Sequence, residues 1–225
     1  MIDRKKFAAY TLPMAAFLAL LVLNSALKAS GLSSFWARSA EYWIYPAQTV
    51  LCGGLILFFW REYRLQRPAR LAFGAAIGIA VFVIWIAPQA FFGSGARVDG
   101  FNPDLFVQQP AAYWATVLLR FCRLAIVVPL AEEIFWRGFL LRFLIDEDFD
   151  RVPFGRFTWV SFAVVTLAFG FSHSRPDWTA ALITGALYNL VAYRTKSLAT
   201  CVVAHAVTNL LLGLWIMKTG QWGFW

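Results

Sequence analysis

The sequence places ionisable side chains inside segments that are otherwise apolar. Glu132, Glu133 and Arg137 lie in the stretch AEEIFWRG, and both histidines of the chain, His173 and His205, also have apolar neighbours. An ionisable group at bilayer depth costs about 2.5–3.5 kcal/mol on insertion scales, so such groups are usually kept there for function. Carboxylates and imidazoles brought together in a dry site favour hydrolytic chemistry.

Helical spacing predicts different roles for the two adjacent glutamates. Glu133 and Arg137 are four residues apart, so on a helix they share a face and can form an ion pair. Glu132 points about 100° away from Glu133, and no cation stands at helical spacing from it. We therefore predict that Glu133 is held ionised as a structural group, and that Glu132 is free to act as a general base.

The second histidine has an amide at helical spacing. His205 and Asn209 are four residues apart, so they face the same side of their helix. A neutral histidine and an asparagine can both donate hydrogen bonds to a developing oxyanion in a dry site. His173, which ends the stretch FGFSH, is expected beside the candidate base Glu132. The alternative reading is that these polar groups only link neighbouring helices by hydrogen bonds.

The composition is that of a membrane protein. The chain has 225 residues, of which 60% are hydrophobic and 14% charged, whereas a soluble domain is about 45–50% apolar and about 25% charged. We predict an all-α fold, a polytopic transmembrane helical bundle whose catalytic residues lie on separate helices around an intramembrane cavity. About seven spans are expected, near residues 7–27, 42–60, 71–92, 124–144, 157–171, 178–193 and 198–217.

The fourth span belongs to a longer helical stretch, 111–145, in which Pro129 can produce a kink. Residues 111–123 are expected to form an interfacial helix or the start of that span. We predict two units, residues 1–110 with the N-terminal transmembrane helices and an outer loop, and residues 111–225 as the catalytic core.

The net charge of +8 comes from basic residues in short loops, which favours membrane orientation over nucleic-acid binding. Lys and Arg are most frequent in segments 1–6, 61–70, 142–156 and 194–196, which predicts a cytoplasmic N-terminus and an outer C-terminus.

Three further polar residues are predicted to have structural roles. Asp177 is predicted to cap the helix that begins at Trp178. Arg120 and Arg123 are predicted interfacial anchors, with binding of a substrate carboxylate or a lipid head group as the alternative.

Three motifs, each on its own predicted helix, resemble the CPBP family of intramembrane proteases. This is the family of the CAAX prenyl protease Rce1 and its bacterial relatives, also called Abi proteins. The resemblance covers about residues 111–217. The motifs are, in chain order, Glu132-Glu133-x-x-x-Arg137, Phe169-x-x-x-His173 and His205-x-x-x-Asn209.

The resemblance implies an endopeptidase that hydrolyses a peptide bond of a membrane-anchored or lipid-modified protein or peptide. It implies that Glu132 and His173 activate water. It also implies that His205 and Asn209 form the oxyanion site, supported by the rest of the first motif.

The N-terminal half is similar to the CAAX-protease-related subgroup associated with exosortase and PEP-CTERM systems. The residues that carry this similarity are Tyr45-Pro46 and the run 59–63. It implies a bacterial inner membrane.

Metal dependence is left open by the residues. Glu132, His173 and His205 could form an open catalytic zinc site, although the chain has no His-Glu-x-x-His motif. A metal-free mechanism is favoured, because Asn209 is a poor zinc ligand and a good oxyanion donor. No cofactor is therefore expected, with zinc as the alternative.

Two other functions compete with the protease. A non-catalytic membrane scaffold or immunity protein could keep the polar cluster to join helices, and a proton-coupled transporter could use the same buried acids. A transporter would be supported by broken helices and inverted repeats, but no second half of the chain that matches the first is evident.

The charge bias places His173 near the outer end of its span, whereas a CAAX-type protease that acts on cytosolic tails would open inward. The sequence leaves the membrane face, the substrate and the oligomeric state open.

Overall fold

The computed structural model describes residues 3–225, and this part of the chain is helical with no strand. Each of the seven predicted segments corresponds to one long helix, which confirms the all-α bundle. The first two residues of the predicted N-terminal unit lie outside the described range. The long helices are α1 (Arg4–Ala29), α2 (Glu41–Phe58), α3 (Leu71–Phe91), α4 (Pro110–Phe143), α5 (Trp159–Phe171), α6 (Trp178–Thr195) and α7 (Leu198–Thr219).

Four of these helices, α1, α3, α4 and α7, are long and apolar enough to cross a membrane. The other three do not meet both conditions, and α5 has only 13 residues. The number of seven spans and the predicted orientation therefore stay predictions. Helix α4 runs without a break from Pro110, so residues 111–123 form its first part.

One hydrophobic core joins the two predicted units of the chain. Tyr10 of α1, Cys52 of α2 and Val81 of α3 belong to the same buried cluster as Ile134 of α4 and Ala204 of α7. The proposed division between residues 110 and 111 falls where α4 begins, and it stays a prediction.

Local sequence signals set the ends of the helices that carry the histidines. The side chain of Thr158 accepts a hydrogen bond from the backbone N–H of Ser161 at the start of α5, and Ser197 does the same for Thr200 in α7. Such caps satisfy donors that have no partner inside the helix. Helix α7 ends at Gly220, whose φ of 68° is a left-handed conformation that glycine adopts without strain.

Pro129 frees a backbone carbonyl in the middle of α4. Residues Arg123–Val127 are π-helical, so the carbonyl of Leu124 would accept from the N–H group five residues later. That residue is Pro129, which has no N–H. The side-chain Nδ2 of Asn209 on α7 donates to the Leu124 carbonyl oxygen instead, at 2.9 Å.

Helices α3 and α7 pack backbone against backbone. A Cβ atom placed on Gly78 would lie 2.4 Å from the carbonyl oxygen of Ala204, and one on Gly74 would lie 2.7 Å from the Thr200 side chain. Thr208 Oγ1 lies in this α3–α7 contact, called the seam below, and donates to the Gly78 carbonyl at 2.7 Å. Small residues permit such close approach in membrane bundles. The seam therefore positions α7, which carries the second histidine.

We expect Gly78→Ala to lower the free energy of unfolding by about 1–3 kcal/mol, because the added methyl group overpacks the seam. The measurement is chemical denaturation of the purified protein in detergent. Gly54→Ala is the matched control, because a Cβ there meets no atom within 4 Å. Equal losses for the two variants would contradict the close helix contact.

Candidate active site

The four residues predicted to be catalytic line one cavity of about 280 Å³. Glu132 comes from α4, His173 follows the end of α5, and His205 and Asn209 come from α7. The structure thus brings together side chains from three separate helices. Their catalytic roles stay a prediction.

Glu133 is at the centre of a buried polar network. Its Oε1 accepts hydrogen bonds from Arg137 Nη1 at 3.0 Å and from His205 Nδ1 at 2.9 Å. Arg137 donates further from Nε to Asn189 Oδ1 at 3.1 Å and from Nη2 to the carbonyl of Gly185 at 3.2 Å. Both charged side chains of the ion pair are 0% exposed. The pair predicted from helical spacing therefore also ties α4 to α6 and α7.

The neighbouring Glu132 has a different environment. It is 9% exposed and faces the cavity. No hydrogen bond or ion pair within residues 3–225 involves its carboxylate, whereas Glu133 is held by a cation. Consecutive positions on one helix thus place one carboxylate in the packed interior and the other at the cavity wall.

The ring of His173 is fixed by backbone and aromatic contacts. Its Nδ1 lies 2.8 Å from the carbonyl oxygen of Phe169. A carbonyl only accepts, so Nδ1 carries the proton and a neutral ring has its lone pair on Nε2. The ring lies against Trp85 and Phe169, and the His173 carbonyl accepts from Trp178 Nε1 at 3.0 Å.

His205 is held in a similar way by a carboxylate. Because Glu133 Oε1 accepts, Nδ1 of His205 carries a proton, and only Nε2 remains for other partners. The ring packs beside Tyr188, whose hydroxyl donates to Thr208 Oγ1 at 2.7 Å. Asn209 uses one amide N–H for the Leu124 carbonyl, and its second N–H remains available.

Several residues around the cavity were not predicted from sequence. Arg97 and Asp177 line it and form an ion pair at 2.6 Å, and Asp177 also accepts from Ser174 at 2.5 Å. Asp177 occupies the predicted N-cap position of α6, but its side chain makes no capping hydrogen bond. The Arg97 pair joins residues far apart in sequence, and no local spacing could have indicated it.

The prediction that Arg120 and Arg123 are interfacial anchors was wrong. Their exposed fractions are 2% and 6%, so both are buried in the protein interior. Aromatic side chains of α1, α2 and the segment after α3 cover them.

The zinc alternative involves the same side chains, Glu132, His173 and His205. In the described part of the chain, no three His, Cys, Asp or Glu side chains form a group that could hold a metal ion. Glu132, His173 and His205 line the cavity without forming such a group. Metal dependence and the absence of a cofactor both stay predictions.

We expect Glu133→Gln to lower the free energy of unfolding by about 3–5 kcal/mol, because it leaves the buried Arg137 cation without its counter-charge. Denaturation of the purified protein in detergent measures this loss. Glu147→Gln, at an exposed loop position, controls for removal of a carboxylate. A Glu133→Gln protein as stable as the wild type would show that the ion pair does not hold the helices.

Residues 113–211 match the family model described as type II CAAX prenyl endopeptidase Rce1-like. This segment contains both glutamates, the arginine, both histidines and Asn209. The search of curated proteins and the search of solved structures found no match to the chain. The similarity to the exosortase-associated subgroup stays a prediction. Residues 113–211 are therefore similar to the Rce1-like type II CAAX prenyl endopeptidases, which supports the resemblance to the CPBP family.

Proposed function

We propose that this protein is an intramembrane endopeptidase that cuts a peptide bond in a membrane-anchored or lipid-modified protein or peptide. The observation that carries the proposal is the Glu132 carboxylate, which has no partner within residues 3–225 and faces a cavity lined by both histidines and Asn209. The family match supports peptidase chemistry in this segment.

The first step is the activation of water. A water molecule between Glu132 and His173 would donate one proton to the carboxylate, which has no competing partner among the described residues. The Nε2 lone pair of His173 can accept the second hydrogen bond, since Nδ1 is occupied by the Phe169 carbonyl. Both contacts orient the oxygen lone pair toward the substrate carbonyl carbon, as general base catalysis requires.

Attack of this water gives a tetrahedral intermediate with a negative oxygen. Asn209 can donate its second amide N–H to that oxygen. His205 can donate from Nε2 only when the ring carries both protons, because Nδ1–H already faces Glu133. The expected neutral donor is therefore replaced in this proposal by an imidazolium, whose charge the Glu133 carboxylate stabilises.

Collapse of the intermediate breaks the C–N bond. The proton that Glu132 took from water passes to the leaving amine nitrogen, which departs as a neutral amine. The new carboxyl group keeps the water oxygen, and Glu132 returns to its ionised form. The side chains end the cycle as they began it, so the reaction needs no co-reactant besides water.

The position of the cavity suggests how a substrate enters. Arg97, Ser174 and Gly223 lie in the connecting segments at one end of the bundle and form part of the cavity wall. With the predicted orientation, this end faces the outer side of the membrane. The substrate would then enter from that side, with its anchor in the bilayer.

The test compares the termini of membrane proteins, by mass spectrometry, in cells that express the wild type or Glu132→Gln at matched levels. We expect the cleavage rate to fall by about 10²–10⁴-fold, because the variant cannot accept the proton from water. Glu147→Gln, which changes an exposed carboxylate, should cleave normally.

Two outcomes would contradict the protease. Identical termini in the presence of folded, membrane-inserted wild type and variant would favour the scaffold or immunity protein. Proton or solute flux in proteoliposomes that depends on Glu132, without any new terminus, would favour the transporter.

A further inference from the structure

Arg120 is a buried cation without a hydrogen-bond partner. It lies on α4 with an exposed fraction of 2%, and none of its three guanidinium nitrogens is hydrogen-bonded within residues 3–225. Buried polar groups nearly always have partners, and an unpaired buried charge is strongly unfavourable. The proposed hydrolytic mechanism does not use this side chain. The presence of this buried arginine therefore indicates a ligand that accepts its free hydrogen bonds.

Three aromatic rings surround the guanidinium group. Its Cζ atom lies 4.2 Å from the ring centre of Tyr45 and 5.1 Å from those of Phe101 and Trp225. Such contacts favour a cation through the face of the ring. They do not satisfy the N–H donors, which point outward in the guanidinium plane. The missing partner is therefore an acceptor that approaches along that plane.

A second arginine adds to the positive charge. Arg123 lies nearly one turn further along α4, with Nε donating to Gln48 Oε1 at 2.8 Å and Cζ 4.6 Å from the Tyr45 ring. No carboxylate in the described chain forms a salt bridge with either arginine. Glu41 lies one turn before Tyr45 on α2, and its carboxylate forms an ion pair with Lys28 at 3.0 Å. The region therefore has an excess of positive charge, which an anion would neutralise.

Trp225 separates this region from the catalytic cavity. Its side chain covers the Arg120 guanidinium, and the same residue lines the cavity that contains Glu132. A small void of about 10 Å³ borders Arg120 and Arg123, and Trp225 is not among the residues that line it. Displacement of the Trp225 indole would expose Arg120 to the catalytic cavity. A ligand would thus reach Arg120 from the active site.

We propose that Arg120, with Arg123 beside it, binds the terminal carboxylate of the peptide that is cut. This inference rests on the proposed protease function and adds a substrate-recognition site to it. The two oxygens of a carboxylate match the planar fork of a guanidinium. Access through the active site favours a substrate carboxylate over a lipid phosphate.

The distance between Arg120 and Glu132 along α4 determines how many substrate residues separate the carboxylate from the bond that is cut. Arg120 and Glu132 are separated by about 18 Å at the α-helical rise. An extended peptide covers that distance with about five residues. The free carboxylate would therefore lie within a few residues of the bond that is cut, and this site would direct cleavage to the end of a chain.

The test measures peptide binding in place of cleavage. The probes are a synthetic peptide of five apolar residues with a free carboxyl terminus and the same peptide with a carboxamide terminus. They are titrated into full-length Glu132→Gln protein in detergent, which removes the proposed base and keeps the arginines. We expect the carboxamide to bind about tenfold more weakly, as for the loss of one charge-assisted hydrogen bond.

Variants of Arg120 assign the preference to this side chain. Arg120→Met should remove the difference between the two peptides, and its melting temperature should not fall, because an unpaired buried charge has been removed. Arg120→Lys keeps the charge without the fork and should restore part of the preference. Arg38→Met, at an exposed arginine, should bind like the parent.

Equal binding of the two peptides, or a full preference in Arg120→Met, would overturn the proposal. Arg120-dependent stabilisation by phosphatidylglycerol vesicles but not by phosphatidylcholine vesicles, without any peptide preference, would assign the site to a lipid head group and overturn it as well. A carboxylate preference in a protein that never cleaves any peptide would support the site while the protease proposal fails, so the two failures are distinguishable.

Discussion

The structure depends on one buried carboxylate oxygen. Glu133 Oε1 accepts from Arg137 of the same helix and from His205 of α7, and Arg137 continues to Asn189 of α6. An isolated charge with no access to water is strongly unfavourable at this depth, so pairing Glu133 with Arg137 is stabilising relative to leaving either one alone. The three helices are therefore held in the arrangement that lets Glu133 Oε1 accept from both Arg137 and His205. That arrangement also forms the wall of the cavity that contains the proposed catalytic residues.

This network gives the two adjacent glutamates different environments. Because Glu133 supplies the counter-charge for Arg137, Glu132 does not need to, and its carboxylate is left at the cavity. A second feature of α4 also connects this helix to α7. Pro129 leaves the Leu124 carbonyl without its backbone donor, and Asn209 takes that place. Both devices connect α4 to α7, so the proposed base and the proposed oxyanion donors are positioned by the same pair of helices.

Local spacing predicted the parts of the site that lie on one helix. The Glu133–Arg137 pair, the shared face of His205 and Asn209, and the order of the seven helices all follow from intervals of three to four residues and from apolar segments. Contacts between distant segments did not follow, such as His205 with Glu133 or Asp177 with Arg97. Arg120 was misjudged for the same reason: its position near the start of α4 suggested the membrane surface, and only the packing of Tyr45, Phe101 and Trp225 shows that it is buried.

The most direct test of this account is the unfolding free energy of the double variant Glu133→Gln/Arg137→Gln, compared with both single variants. If Glu133 serves mainly as the counter-charge of Arg137, each single change leaves a buried polar group uncompensated, and the double change removes both charges. We expect the double variant to be more stable than the sum of the single losses allows, by about 0.5–3 kcal/mol. Losses that simply add would contradict it, because the two side chains would then act independently.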